Sequence, residues 1–238
     1  MDKLYIVIPA YNEEENIESV VNDWYPVVEK IGNDSRLVIM DDGSKDSTYA
    51  KMQELAKTRA MFTPVTKDNE GHGATVLFGY HYALNAGADY VFQTDSDGQT
   101  LPEEFWPFWE KRKDYAMVIG HRKGRQDGAS RVFVTKTLKL VCRLCFHVTV
   151  TDANTPFRLM QAGTLKENIK LVPEKFNLSN VILSVIYAKK KQSVLYLPIT
   201  FRPRQGGVNS INLKKIFKIG RKAFHDFRTI NRCLKDAK

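Results

Sequence analysis

Five short apolar runs punctuate the first 120 residues, and each is nearly continuous rather than alternating. Residues 4–8, 36–40, 61–65, 90–93 and 115–120 read as strands on that pattern, the third the weakest, because strands covered on both faces lose the period-two polar face. Between them lie longer stretches of helical periodicity at 13–30, from about Ser47 onward, and at 74–86. Strand and helix in alternation predict an α/β domain with a mostly parallel central sheet flanked by helices. The second half is less regular. Residues 132–148 suit an apolar helix carrying Lys136, Lys139 and Arg143; 177–190 suit another helix, and 194–201 a strand. The loop Arg202-Pro203-Arg204-Gln205-Gly206-Gly207 then leads into a final helix at 211–238. No internal repeat or low-complexity linker interrupts the chain. The expected organisation is one domain over 1–210, in halves 1–120 and 121–210, with the last helix appended.

Composition adds limits to this picture. With 238 residues, 43% of them apolar, the chain can fill one large core. Three cysteines, Cys142, Cys145 and Cys233, are too few for a disulfide framework and point to a reducing compartment. Cys142 and Cys145 sit in an apolar run without a second pair, so they read as helix cysteines rather than a zinc site. Only a few apolar residues follow Met1-Asp2-Lys3 before Pro9, which does not make a signal peptide. The longest apolar stretches fall short of the roughly 18 to 20 residues of a transmembrane helix. A cytoplasmic protein is expected.

The net charge of +9 resembles a nucleic-acid signal until it is located. Residues 211–238 hold nine Lys or Arg against Asp226 and Asp236, so this element carries +7 and the rest of the chain only +2. Along it Ile216, Phe217, Gly220, Ala223, Phe224, Phe227, Ile230 and Leu234 form a helical stripe flanked by cations. Such a helix suits an anionic membrane surface, and equally a terminal helix packed on the sheet with a solvated basic face. The first reading places the protein peripherally on the inner face of the cell membrane.

Ligands of open parallel sheets bind beyond the C-terminal strand ends. Here those ends carry Pro9-Ala10-Tyr11-Asn12-Glu13, Asp41-Asp42-Gly43-Ser44 and Thr94-Asp95-Ser96-Asp97, three polar loops on one edge. Asp95 and Asp97 can aim two carboxylates at one cation, with Gln99 as a third oxygen. Oxygen ligands favour Mg or Mn over zinc, and the spacing does not fit a calcium helix-loop-helix. An ion held by so few groups keeps positions open for substrate phosphates, which suggests a diphosphate. Tyr11, Glu13, Asp41 and Asp42 then suit a nucleoside. Gly71-His72-Gly73, before a helix, permits close backbone approach.

The stretches from Ile6 to Ile17, from Met40 to Thr48 and from Asp95 to Gln99 together resemble a family 2 glycosyltransferase with the A-type, Rossmann-like nucleotide-sugar fold. Gly120-His121-Arg122, Ser130-Arg131, Thr151-Asp152 to Phe157-Arg158, and Leu197 to Arg204 with Gly206-Gly207 are similar to the dolichyl-phosphate mannose synthase and polyprenyl-phosphate glycosyltransferase branch. The resemblance implies that Pro9, Tyr11, Asn12, Glu13, Asp41, Asp42, Gly71, Asp95 and Ser96 hold the nucleotide sugar. It implies that Asp95, Asp97 and Gln99 hold a divalent metal, Mg or Mn. Arg122, Arg131 and Arg204 match arginines around acceptor and sugar phosphates and join Asp95 and Asp97 as catalytic candidates. Asp152, Arg158 and Arg202 complete an acceptor side, where bidentate guanidinium groups suit phosphate. Two departures stand out. Asp152-Ala153-Asn154-Thr155-Pro156-Phe157-Arg158 replaces the branch's Asp-Pro-x-Ser-Gly-Phe-Arg, and Leu178-Ser179-Asn180-Val181 lacks the acids of a Phe-Asp-x-Glu segment.

The lost acids bear on mechanism. A sugar hydroxyl needs a base to take its proton, whereas a phosphate monoester, with a second pKa of about 6, is already ionised at neutral pH. A metal-dependent inverting glycosyltransferase acting on a polyprenyl phosphate is the expected function, with Asp152 or Glu174 available as base. Transfer to a glycan hydroxyl, as in cell-surface polysaccharide synthesis, is the near alternative; a basic nucleic-acid module is the remote one. A nucleotidyltransferase is disfavoured, since Pro9-Ala10-Tyr11-Asn12 stands where its Gly-rich loop would be. The expected partners are a nucleoside-diphosphate sugar, a lipid-phosphate or glycan acceptor and an anionic membrane surface, without nucleic acid; a homo-oligomer is compatible with all of this.

Overall fold

The computed structural model describes residues 2–122, 139, 140, 142–173, 176–203, 227, 230 and 231. Seven strands form one sheet in the order β3-β2-β1-β4-β6-β5-β7: β1 (Leu4–Ala10), β2 (Arg36–Asp41), β3 (Phe62–Thr66), β4 (Tyr90–Gln93), β5 (Met117–Arg122), β6 (Arg158–Gln161) and β7 (Val194–Ile199). Helices α1 (Ile17–Ile31), α2 (Thr48–Ala56), α3 (His72–Asn85), α4 (Phe105–Glu110), α5 (Ala162–Ile169) and α6 (Ser179–Lys189) flank it.

The apolar runs are continuous because each strand feeds two cores. In β1, Leu4, Ile6 and Ile8 join a layer with Ile17, Val20, Trp24 and Phe105, whereas Tyr5 and Val7 join one with Val76, Tyr80, Ile182 and Val185. Helices α1 and α2 therefore cover one face, and α3, α5 and α6 the other. The crossovers change face between β1 and β4, and the crevice at that switch lies between the loops 9–16 and 94–101. Helix α3 seats closely on β1. A Cβ on Gly79 would lie 2.2 Å from Val7 Cγ1.

All five expected strands of the first half are present, but the sheet is mixed. Strand β6 runs antiparallel between β4 and β5, with Arg158 opposite both Gln93 and Ile119. Four residues, Arg-Leu-Met-Gln, are too short a run to stand out by periodicity, and neither β6 nor α5 is predicted from pattern. The insertion has a functional consequence. It delivers residues 152–157 to the same edge as the C-terminal ends of β1, β2 and β4, and β7, parallel to β5, brings residues 200–203 there too. Helix α1 starts later than expected: Asn12 takes a left-handed φ of 53°, and the amides of Asn16 and Ile17 both close on Glu13 O.

Most of the expected basic helix at 211–238 lies outside the described residues. Phe227, Ile230 and Asn231 are helical, and the first two are buried. The Phe227 ring lies 5.2 Å from Phe146 and 5.9 Å from Phe176, and Asn231 Nδ2 donates to Cys145 O at 2.7 Å. This part of the stripe is thus spent on the domain core. Cys142 is buried and Cys145 half-buried, and neither forms a disulfide among the described residues; burial pushes the Cys142 thiol up to about 12. Among the described residues no helix is long and apolar enough to cross a membrane.

Candidate active site

The loops after β1 and β2 are laced together. The Asn12 amide donates to Ser44 Oγ at 2.9 Å, the Lys45 amide returns to Asn12 Oδ1 at 2.9 Å, and the Glu13 amide donates to Thr48 Oγ1 at 2.8 Å. Across the switch point, Ser96 Oγ donates to Pro9 O at 2.9 Å, fixing the acidic loop after β4 against the end of β1. Every nucleoside-side residue inferred from sequence stands on this edge. Tyr11 is 42% exposed, a free aromatic face, while Glu13, Asp41 and Asp42 are buried in the wall behind it.

The two buried aspartates organise loops. Asp41 accepts from Thr66 Oγ1 at 2.8 Å and from the Ser44 amide at 3.2 Å. Asp42 accepts from Lys67 Nζ at 2.8 Å and from the amides of Glu70 at 3.0 Å and Gly71 at 2.9 Å. Burial alone would raise the Asp42 carboxyl, but the Lys67 and Glu70 hydrogen bonds outweigh it and hold the group below its ordinary value. Thr66 ends β3, and Lys67 and the Glu70 amide belong to the segment after it. Sequence reasoning missed them by counting only the ends of β1, β2 and β4; the end of β3 lies on the same edge and was the available signal.

In the acidic loop, Asp95 and Asp97 are partly exposed. Asp95 Oδ1 is buried and has no hydrogen-bond partner, the condition of a carboxylate oxygen prepared for a cation. Asp97 Oδ1 accepts the Gln99 amide at 3.2 Å. Gln99 is 8% exposed and gives its side-chain N–H to Arg202 O at 2.8 Å, which leaves its oxygen for a ligand role. Among the described residues no three His, Cys, Asp or Glu side chains form a ready-made metal cage.

On the acceptor side, Arg122 and Asp152 meet in a bidentate pair, Nε to Oδ2 at 2.9 Å and Nη2 to Oδ1 at 2.7 Å, with Phe201 5.1 Å from the guanidinium. Both side chains are nearly buried, at 7% and 6%. Arg202 lies apart from them. Its side chain lines a polar cleft of about 260 Å³ with Asn16, Asp23, Gly98 and Glu103. Arg131, Arg204 and Glu174 lie outside the described residues.

Arg158 departs from the acceptor-side expectation. It is fully buried, and its guanidinium donates to Thr155 O at 3.1 and 2.5 Å, Asn180 O at 2.9 Å and Ala153 O at 3.2 Å. It ties the 153–155 turn to the first turn of α6. In this position the guanidinium is turned to backbone carbonyls of the fold.

Comparison with known proteins agrees with this layout. The chain is 30% identical over 188 residues to the UDP-N-acetylglucosamine–dolichyl-phosphate N-acetylglucosaminyltransferase of Methanococcus voltae, covering 69% of this chain and 72% of the relative. It is 26% identical to the polyprenol monophosphomannose synthase of Mycolicibacterium smegmatis, over 87% and 80% of the two chains. Glucosyl-3-phosphoglycerate synthase from Mycobacterium tuberculosis, solved with Mn2+, uridine diphosphate glucose and glycerol 3-phosphate, shares the fold: the TM-score is 0.67 at 18% identity, over 96% of this chain and 80% of that one. The Glycosyl transferase family 2 model matches residues 5–171, a span that holds the switch-point loops, the acidic loop and the Arg122–Asp152 pair. The chain belongs to glycosyl transferase family 2 and is a glycosyltransferase with a nucleotide-sugar donor.

Proposed function

We propose that the protein is a metal-dependent, inverting glycosyltransferase that passes a sugar from a nucleoside diphosphate to a polyprenyl phosphate. The single observation that carries the acceptor class is the Arg122–Asp152 pair. Asp152 is the one acid in the 152–158 segment, and the Arg122 guanidinium already occupies both of its oxygens. A hydroxyl acceptor would need a base there; an ionised phosphate attacks without one. Two relatives, a dolichyl-phosphate N-acetylglucosaminyltransferase and a polyprenol monophosphomannose synthase, support the same choice.

Tyr11 offers a stacking face for the base, and the buried wall of Glu13, Asp41 and Asp42 holds the loops on which the nucleoside rests. Asp95 and Asp97, with the oxygen of Gln99, would hold a divalent cation, and the unpartnered Asp95 Oδ1 fits that role. The chemistry such an ion supplies when bound is to offset charge on the departing diphosphate. The rest of catalysis is placement by the chain's own groups of an acceptor phosphate in line behind the anomeric carbon.

The test is nucleoside diphosphate release from a panel of UDP-, GDP- and dTDP-sugars with Mn2+ or Mg2+, with and without a short polyprenyl phosphate or a glycan. Release stimulated by the lipid supports the reading. Stimulation by the glycan alone moves the assignment to a hydroxyl acceptor, and no release from any donor removes it.

A further inference from the structure

One group at the acidic loop has no part in the site so far. His72 opens α3, and its Nε2 lies 3.8 Å from Asp95 Oδ1, the buried oxygen without a hydrogen-bond partner. That separation is too long for a hydrogen bond. Two ligand bonds of about 2.1 Å span up to about 4.2 Å, so the two side chains are spaced such that both could ligate one cation.

The backbone that carries His72 is pinned on both sides. Gly71, at φ 92°, gives its amide to Asp42 at 2.9 Å. Gly73 lies so close to the chain before α6 that a Cβ there would stand 2.3 Å from Phe176 O. The imidazole itself is 53% exposed. An exposed ring on a fixed backbone, facing a bare buried carboxylate oxygen, is the arrangement of a metal ligand waiting for its ion.

We propose that His72 is a nitrogen ligand to the divalent cation held by Asp95, and that it biases the site toward Mn2+ over Mg2+. This rests on the metal-dependent reading above. The selectivity follows from ligand type: carboxylate oxygens serve Mg2+ and Mn2+ alike, whereas imidazole suits transition metals and gains little with Mg2+.

The experiment measures Mn2+ binding to the purified full chain by electron paramagnetic resonance, and Mg2+ binding by competition, with and without the nucleoside diphosphate that the donor panel yields. Bound Mn2+ should show coupling to a directly coordinated imidazole nitrogen. His72→Ala should abolish that coupling and weaken Mn2+ binding by about tenfold or more, with a much smaller change for Mg2+. His72→Lys places a positive charge there but offers no ligand atom while protonated, so it should behave like His72→Ala; restored binding by lysine would instead point to a phosphate contact at this position and overturn the inference. Wild-type Mn2+ affinity or retained nitrogen coupling in His72→Ala overturns it too. If wild type binds no Mn2+, or Asp95→Asn binds it as wild type does, the metal-dependent reading itself fails.

Discussion

Replacing Arg158 by Met separates two roles that the sequence alone does not distinguish. The side chain is fully buried and its guanidinium donates to the carbonyls of Ala153, Thr155 and Asn180. Ser184 Oγ, with one proton to give, lies 3.0 Å from Ala153 O and 2.9 Å from Asn180 O, so a donor stays within reach of both in the variant. Thr155 O loses both bonds that Arg158 gives it. A buried acceptor left bare costs about 1–3 kcal/mol, and each bond from a charged donor is worth about 1.5–3 kcal/mol. Against this stands the cost of burying the guanidinium, which burial already expresses by lowering the Arg158 pKa. A net loss of about 2–4 kcal/mol is expected, read as a lower urea midpoint at unchanged slope. The result that refutes the reasoning is a variant as stable as wild type whose binding of polyprenyl phosphate is lost. That outcome would return Arg158 to the acceptor site.

Three further perturbations test other parts of the account. Gly79→Ala should destabilise by about 1–3 kcal/mol through overpacking against Val7, although helix propensity alone favours Ala by about 1 kcal/mol; additive loss in the double variant with Val7→Ala would contradict the contact. The Asp42 carboxyl is held below its ordinary 3.8, so it adds stability above that pH that is lost as pH falls through the lower folded value; Asp42→Asn should flatten this portion of the acid limb, and an unchanged difference between the two proteins across pH would refute it. Phe227→Ala should cost about 3–5 kcal/mol by emptying its place between Phe146 and Phe176, whereas a helix apolar only toward a membrane would leave the stability unchanged.

Much of the donor side was legible because it is local. Strand, acidic loop and helix follow one another within a few residues, and parallel order sends each loop to one edge. What the sequence hid are pairings made over long separations. The Arg122–Asp152 pair spans 30 residues, and Gln99 and Arg202 meet across 103. Arg158 shows the same limit in reverse: an arginine in a phosphate-like motif is a reasonable ligand until β6 places it between β4 and β5, where its guanidinium binds the carbonyls of Ala153, Thr155 and Asn180. The C-terminal stripe reads as amphipathic in the sequence, but periodicity names no partner, and of its positions Phe227 and Ile230, among the described residues, turn to the domain core.

The most direct test of the central claim follows labelled sugar from the active donor into the organic phase after incubation with a short polyprenyl phosphate and divalent metal. The account predicts a polyprenyl-phosphate sugar formed in step with nucleoside diphosphate, and none from Asp97→Ala protein that remains folded. Label that stays in the aqueous phase while nucleoside diphosphate is released, or full transfer by Asp97→Ala, would contradict it.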